Sequence, residues 1–358
     1  MKRKVLTIGL FSALFIAGCS NSTANSNKDE IENEAINNEP SIELNEIENE
    51  TNEDADTMEN EAVNAEVSAH SLPADTYQKD DQGEAVTAIQ QALIEIGYEI
   101  EASGTFDMYT VWALTDIQLQ TDGLHATGLY DENTKEVIEE IMTDEKTVDP
   151  GSQMAKPSEA NATSQTIENP YEIMAVVNKT FSLPENYEPL DLTVPDVRFP
   201  FEEDDPKKQL RAVAAEGLEE LFADAEKDGI FLFGLSGYRS YDRQVAIFAS
   251  NVERHGEDHA NTYSARAGES EHQTGLVMDV TTESVGFDLV TDLGEKEEGI
   301  WLAENAHKHG FTIRYPKGKE DITKYQYEPW HLRYVGEKAA TAMYENKQTL
   351  EEYLNILP

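Results

Sequence analysis

The chain has 358 residues, 71 acidic against 27 basic side chains, a formal net charge of -44 and one cysteine. That length allows two or three domains. The acid excess excludes a nucleic-acid partner, because too little basic charge is present to grip phosphate, and a lone thiol excludes both a disulfide framework and a thiolate metal site.

The charge is uneven, with net -27 over residues 1–169 and net -17 over residues 170–358. Lys2, Arg3 and Lys4 precede an apolar stretch from Val5 to Ala17, which has signal-peptide length and is too short to span a bilayer. The run Ile16-Ala17-Gly18-Cys19 resembles a bacterial lipobox. The resemblance implies a lipoprotein signal peptide over residues 1–18, lipidation at Cys19, and a protein working outside the cytoplasmic membrane, lipid-anchored to its outer face; the alternative is an ordinary secretory signal with an incidental cysteine. Two or three acyl chains would hold the chain stably, where one would not.

Residues 19–76 read as an acidic, disordered tether: 15 acids lie between Asp29 and Glu66, with no base from Asp29 to Gln78. Such a chain spans roughly 40 Å r.m.s., and self-repulsion extends it. From Asp80 the character changes. Val86, Ile89, Leu93 and Ile96 share one helical face ending at Gly97, a second helix from about Met108 buries Val111, Leu114 and Ile117, and a third carries Val137, Ile138 and Ile141. One pattern occurs twice, 24 residues apart: Gly104-Thr-Phe106-Asp107-Met-Tyr-Thr110 and Gly128-Leu-Tyr130-Asp131-Glu-Asn-Thr134. Glycine permits the turn, the aromatic packs inward, and Asp caps the following helix. With Gly83, Ile89-Gln90 and Gly97-Tyr98, residues 77–143 resemble the small three-helix peptidoglycan-binding domain of bacterial cell-wall hydrolases, which implies a wall-targeting module; a spacer without ligand affinity is the alternative.

Residues 144–169, with Pro150, Gly151 and Pro157, read as a second linker. Residues 170–358 are ample for one core. Here Ser270-Glu271-His272-Gln273-Thr274-Gly275 leads into the short apolar segment Leu276 to Val280, expected to be a buried strand, with Asp279 inside it. A buried carboxylate must be paired, hydrogen-bonded or bound to a metal. His331 closes Glu328-Pro329-Trp330-His331. Two histidines and an aspartate supply three ligands to a zinc ion and leave one position open, and Glu328 could stand beside it as general base. The same ligand types serve non-haem iron, but at a closer His-to-carboxylate spacing. Arg239, in Ser236-Gly237-Tyr238-Arg239-Ser240, falls just past the end of an apolar run, where a guanidinium could face a substrate carbonyl or pair with Asp242.

These segments, with Gln244, Trp301, Gly310-Phe311, Arg314-Tyr315-Pro316 and Arg333-Tyr334, resemble the VanY-type D-alanyl-D-alanine carboxypeptidases, zinc peptidases that trim peptidoglycan stem peptides. The resemblance implies a multidomain chain in which the small all-α domain precedes an α+β, hedgehog/D,D-peptidase-like domain with a central antiparallel sheet. It implies zinc on His272, Asp279 and His331, Glu328 as general base, Arg239 polarising the scissile carbonyl, and Ser270 and Gln244 holding the terminal D-residue. The expected activity is removal of the terminal D-alanine from stem peptides. An L,D-carboxypeptidase, an endopeptidase on the same peptides and a non-catalytic wall-binding lipoprotein are the alternatives. Peptidoglycan is the expected partner, and a monomer is expected. His307 and His309 are expected to be solvent-exposed, and His255 and His259 to have no role.

Overall fold

The computed structural model describes residues 71–154, 156–157 and 165–356. The expected signal peptide, Cys19 and the acidic tether as far as residue 70 lie outside the described residues. Among the described residues no helix is long and apolar enough to cross a membrane.

The first part is built of three helices, α1 (Glu84–Ile96), α2 (Met108–Leu119) and α3 (Glu132–Met142). Their boundaries follow from local chemistry. Gly97 takes the left-handed conformation that ends α1, Asp107 accepts from the backbone N–H groups of Tyr109 and Thr110, and Asp131 accepts from that of Thr134. Phe106 and Tyr130, the aromatics of the repeat, are fully buried.

A glutamine one helix earlier organises each copy of the repeat. Gln90 donates to the Thr105 carbonyl and Thr110 Oγ1 while accepting from Gly104 N–H; Gln118 donates to the Leu129 carbonyl and Thr134 Oγ1 while accepting from Gly128 N–H. The core also takes in more chain than residues 77–143, because Leu72 and Met154 pack against it. The buried Asp116 carboxylate accepts from the backbone N–H groups of Gly151, Gln153 and Met154. That ties down residues whose composition reads as linker.

The second part contains a short pair β1 (Leu192–Thr193) and β2 (Leu210–Arg211), then α4 (Ala212–Lys227), β3 (Phe233–Ser236), α5 (Tyr241–His255), α6 (Glu257–Tyr263), β4 (Val277–Thr281), α7 (Glu297–Asn305), β5 (Phe311–Tyr315), α8 (Glu320–Thr323), β6 (Glu328–Tyr334), α9 (Glu337–Asn346) and α10 (Leu350–Tyr353). The central sheet is antiparallel throughout, in the order β3-β4-β6-β5. This is the expected multidomain layout, a small helical domain followed by an α+β domain.

Alternation along the strands divides the sheet into two faces. Met278, Val280 and Leu332 belong to the apolar core with Leu218, Leu221 and Phe222 of α4. Asp279, His331 and Arg333 point the other way, and they too are buried. Arg211, fully buried, joins the two parts by donating to the Ala126 carbonyl at 2.6 Å.

The expectation for His307 and His309 is corrected. They lie in a 3-10 turn, Ala306–His309, that continues α7, and both are partly buried. His307 stacks on Tyr344 of α9 with ring centroids 3.8 Å apart, and His309 is wedged beside Glu220 and Asp224 of α4. His255 and His259 are exposed, and their rings cluster with Tyr263.

Gly275 connects the His272 turn to β4 at φ +70, and a Cβ there would stand 2.9 Å from Arg211 Cγ and 3.1 Å from Leu192 Cδ2. Left-handed backbone and close packing both oppose a side chain. Gly275→Ala is expected to lower stability by about 1–3 kcal/mol in guanidinium unfolding of the full chain; an unchanged midpoint would contradict this reading of the turn.

Candidate active site

Hydrogen-bond register builds the site. Asp279 on β4 is the cross-strand partner of His331 on β6 and of Ser236 on β3, so these three lie in one row across the sheet. His272 reaches the row from the 3-10 turn Glu271–Thr274, just before β4. The loop after β3 is laced to that turn: His272 Nδ1 lies 2.8 Å from the Gly237 carbonyl, and Arg239 N–H donates to the His272 carbonyl.

The three side chains converge. His272, Asp279 and His331 each present one ligand atom, all within 4.8 Å of one another, and all three residues are buried. Asp279 Oδ2 is 3.4 Å from His272 Nε2, and its Oδ1 is 3.3 Å from His331 Nδ1. Asp279 Oδ1 is buried without a hydrogen bond. A carboxylate oxygen left in that state is expensive, and a cation between it and the two imidazoles removes the cost.

The other nitrogen of each imidazole faces an acceptor, the Gly237 carbonyl for His272 and Glu271 Oε2, at 3.3 Å, for His331. With a metal ion between the rings, the outer nitrogens would carry the protons and the inner ones would offer lone pairs, the arrangement that metal-binding histidines adopt. On these grounds the residues fit a zinc ion bound by two nitrogens and a carboxylate.

Electrostatics separates the groups. Burial, followed by the charge of Arg239, pushes His272 down to about 3. His331 goes the other way, to about 9, because the Asp279 and Glu271 carboxylates outweigh burial. Asp279 is held below its ordinary value because His272, His331 and Arg239 outweigh its burial. Burial lifts Glu328 to about 7, and its Oε2 lies 3.6 Å from His331 Nδ1. A carboxyl group with that affinity can both take and return a proton near neutrality.

Arg239, Gln244, Ser270, His272, Glu328 and His331 line one cavity of about 90 Å³, and Arg239 also borders a cleft of about 690 Å³. Arg239 does not pair with Asp242. Its guanidinium donates to Gln244 Oε1 at 3.0 Å and Ser236 Oγ at 3.2 Å, and Gln244 in turn donates to the Ala265 carbonyl. Gln244 thus holds Arg239 in place from the cavity wall. Ser270 borders the same cavity.

A buried ion-pair network beneath His331 escaped the sequence reading. Glu271 Oε1 accepts from Arg314 Nε at 2.7 Å and Arg333 at 2.8 Å, Arg314 makes two further bonds to Glu351 of α10, and Arg333 reaches the carbonyls of Ile173 and Ala175. All four charged residues are within 2% of full burial. The two arginines outweigh burial and hold Glu271 well below the usual carboxylate range. The sequence placed Glu271 beside His272 and singled out Arg314 and Arg333 within the family resemblance, but nothing in their spacing pairs them, and charged residues next to a motif are ordinarily solvated.

Comparisons with known proteins give the family. A family model described as "VanY: D-alanyl-D-alanine carboxypeptidase" matches residues 207–337, and one described as "Putative peptidoglycan binding domain" matches residues 82–138. The "Putative carboxypeptidase YodJ" of Bacillus subtilis is 48% identical over 240 residues, 64% of this chain and 88% of that protein. The chain belongs to the VanY carboxypeptidase family.

A D-alanyl-D-alanine carboxypeptidase of Enterococcus faecium is 38% identical over 144 residues, 40% of this chain and 43% of that protein. The solved structure of the LdcB LD-carboxypeptidase is 54% identical, with a TM-score of 0.53, covering 54% of this chain and 90% of that one. This VanY-family chain is thus a carboxypeptidase acting on peptidoglycan peptides, with a peptidoglycan-binding domain ahead of its catalytic one.

The network gives the site a measurable energetic signature. Arg314→Met would leave Glu271 with one guanidinium and Glu351 with none in a buried setting. Breaking a buried pair from one side costs about 3–5 kcal/mol. Guanidinium unfolding is expected to show a loss of that size, and a loss within experimental error would contradict the network's role in the fold.

Proposed function

We propose that this family member is a zinc-dependent carboxypeptidase that removes a terminal D-alanine from peptidoglycan stem peptides. The observation that carries the reading is the convergence of His272, Asp279 and His331 on a point beside Glu328, with an Asp279 oxygen left unsatisfied. His272 through Nε2, Asp279 through its carboxylate and His331 through Nδ1 would hold the ion. Zinc bound there supplies Lewis acidity, which makes water a better nucleophile and a carbonyl a better electrophile.

The chain's own residues do the rest. Glu328 takes a proton from the attacking water and later returns it to the departing amine of D-alanine, the work for which a carboxylate titrating near 7 is suited. Arg239, fixed by Gln244 and Ser236, turns a preorganised positive charge towards the carbonyl oxygen as negative charge develops. Ser270 offers a hydroxyl to the terminal residue from the cavity wall.

Two bonds release one alanine, the D,D bond of a pentapeptide and the L,D bond of a tetrapeptide. The family description supports the first. The 54% identity to the LdcB LD-carboxypeptidase, against 38% to the Enterococcus faecium enzyme, supports the second. We take the tetrapeptide as the leading substrate. Digests of muropeptides, read by mass spectrometry, are expected to show tetrapeptide losing one alanine, and chelator to stop the reaction. Loss from pentapeptide alone would assign the D,D bond, and loss of crosslinks would assign an endopeptidase.

Glu328→Gln is expected to keep zinc and lose activity by at least ~10²-fold, the usual scale for a general base. Near-native turnover by that variant would remove Glu328 from the mechanism.

Cys19 and the run before it support a lipid anchor at the outer face of the cell membrane, with the helical domain directing the enzyme to the wall. Expressed in a Gram-positive host, the native chain is expected in the membrane fraction and Cys19→Ser in the medium. Membrane retention of Cys19→Ser would contradict the anchor.

A further inference from the structure

We infer that Glu271 is a positioning residue, whose carboxylate holds His331 in the one tautomer that leaves Nδ1 free to bind the metal. The inference deepens the zinc reading of the site and rests on it.

Glu271 divides its two oxygens. Oε1 accepts from Arg314 and Arg333, and Oε2 faces His331 Nε2. Both nitrogens face a carboxylate at 3.3 Å, Nε2 that of Glu271 and Nδ1 that of Asp279; with Asp279 committed to a metal ion, Glu271 is the acceptor left for the single N–H of a neutral imidazole, which places the proton on Nε2 and the lone pair on Nδ1. Nδ1 is the atom that faces Asp279. The arginines thereby orient the carboxylate as well as neutralising it: with Oε1 committed to two guanidinium groups, Oε2 has no nearby donor other than the histidine among the bonds that Glu271 makes. The side chain is fully buried.

The division of labour makes glutamine a sharp probe. In Glu271→Gln the amide oxygen must stay with the two guanidinium groups, because an NH2 there would set donor against donor. The NH2 then points at His331 Nε2, which becomes an acceptor, and the proton moves to Nδ1. The shape of the side chain is kept while the ligand atom is lost.

The test is zinc affinity of the full chain, measured by competition with a chelator of known affinity, alongside the melting temperature of the metal-free protein. Glu271→Gln is expected to bind zinc about 10–100-fold more weakly, the usual cost of losing a partner to a metal-binding histidine. Glu351→Gln perturbs the same network at Arg314 without reaching His331, so it is expected to bind zinc within about 3-fold of native even where its melting temperature falls. Glu271→Gln binding within that same margin, or Glu351→Gln weakening zinc as much as Glu271→Gln, would overturn the inference.

A second measurement covers a variant that fails to fold. In the zinc-loaded native chain, nitrogen NMR of the histidines is expected to show His331 protonated at Nε2 and metal-bound at Nδ1. The reverse assignment would overturn the inference and leave the zinc reading intact, whereas a native chain that binds no zinc would overturn both.

Discussion

The site depends on the pairing of β4 with β6. Because Asp279 and His331 are cross-strand partners, their side chains leave the sheet side by side on the same face, and a slip of one residue would send one of them into the apolar core. The register is held from the core side, where Met278 and Leu332 form the next pair and pack on α4. The same apolar burial that stabilises the domain thus sets the spacing of the polar groups on its other face. His272 joins them because Gly275 turns the chain tightly enough to bring the preceding residues back over β4.

Placing so many charges in one interior requires each to be matched. Asp279 lies against two imidazoles, Glu271 against two guanidinium groups, and Glu351 against Arg314. Glu328 is the exception. It is buried enough to be lifted to about 7 against the charges of His331 and Arg239, and among the described residues it makes no ion pair with an arginine, which leaves it free to exchange a proton. Glu271 is held ionised by its arginines and Asp279 by the imidazoles and the charge of Arg239, whereas burial prevails at Glu328 and suits it to exchange protons.

The triad, Glu328 and Arg239 were legible in the sequence because each breaks a local expectation. Asp279 interrupts an apolar strand, and His331 follows a Glu-Pro-Trp run that restricts its approach. The repeat in the helical domain was legible for the same reason, since Gly, an aromatic and Asp recur at fixed offsets. What was not legible depends on contacts far apart in the chain. Glu271 meets Arg314 and Arg333 across 43 and 62 positions, Gln244 faces Arg239 only because α5 begins where it does, and Asp116 collects backbone groups from residues whose composition is that of a loop. His309 looked solvated because its partners, Glu220 and Asp224, lie on a different helix. Periodicity and motif spacing carry no information about such pairings.

The central claim is that the β4–β6 register, together with the turn before β4, presents two imidazoles and one carboxylate to a single metal ion. X-ray absorption on the zinc-loaded full chain tests it most directly, since imidazole rings leave a distinctive multiple-scattering pattern and first-sphere nitrogens and oxygens lie near about 2.0–2.1 Å. The account predicts two imidazoles per zinc, oxygen completing the sphere and no sulfur. A sphere with one imidazole, or with three or more, would contradict it.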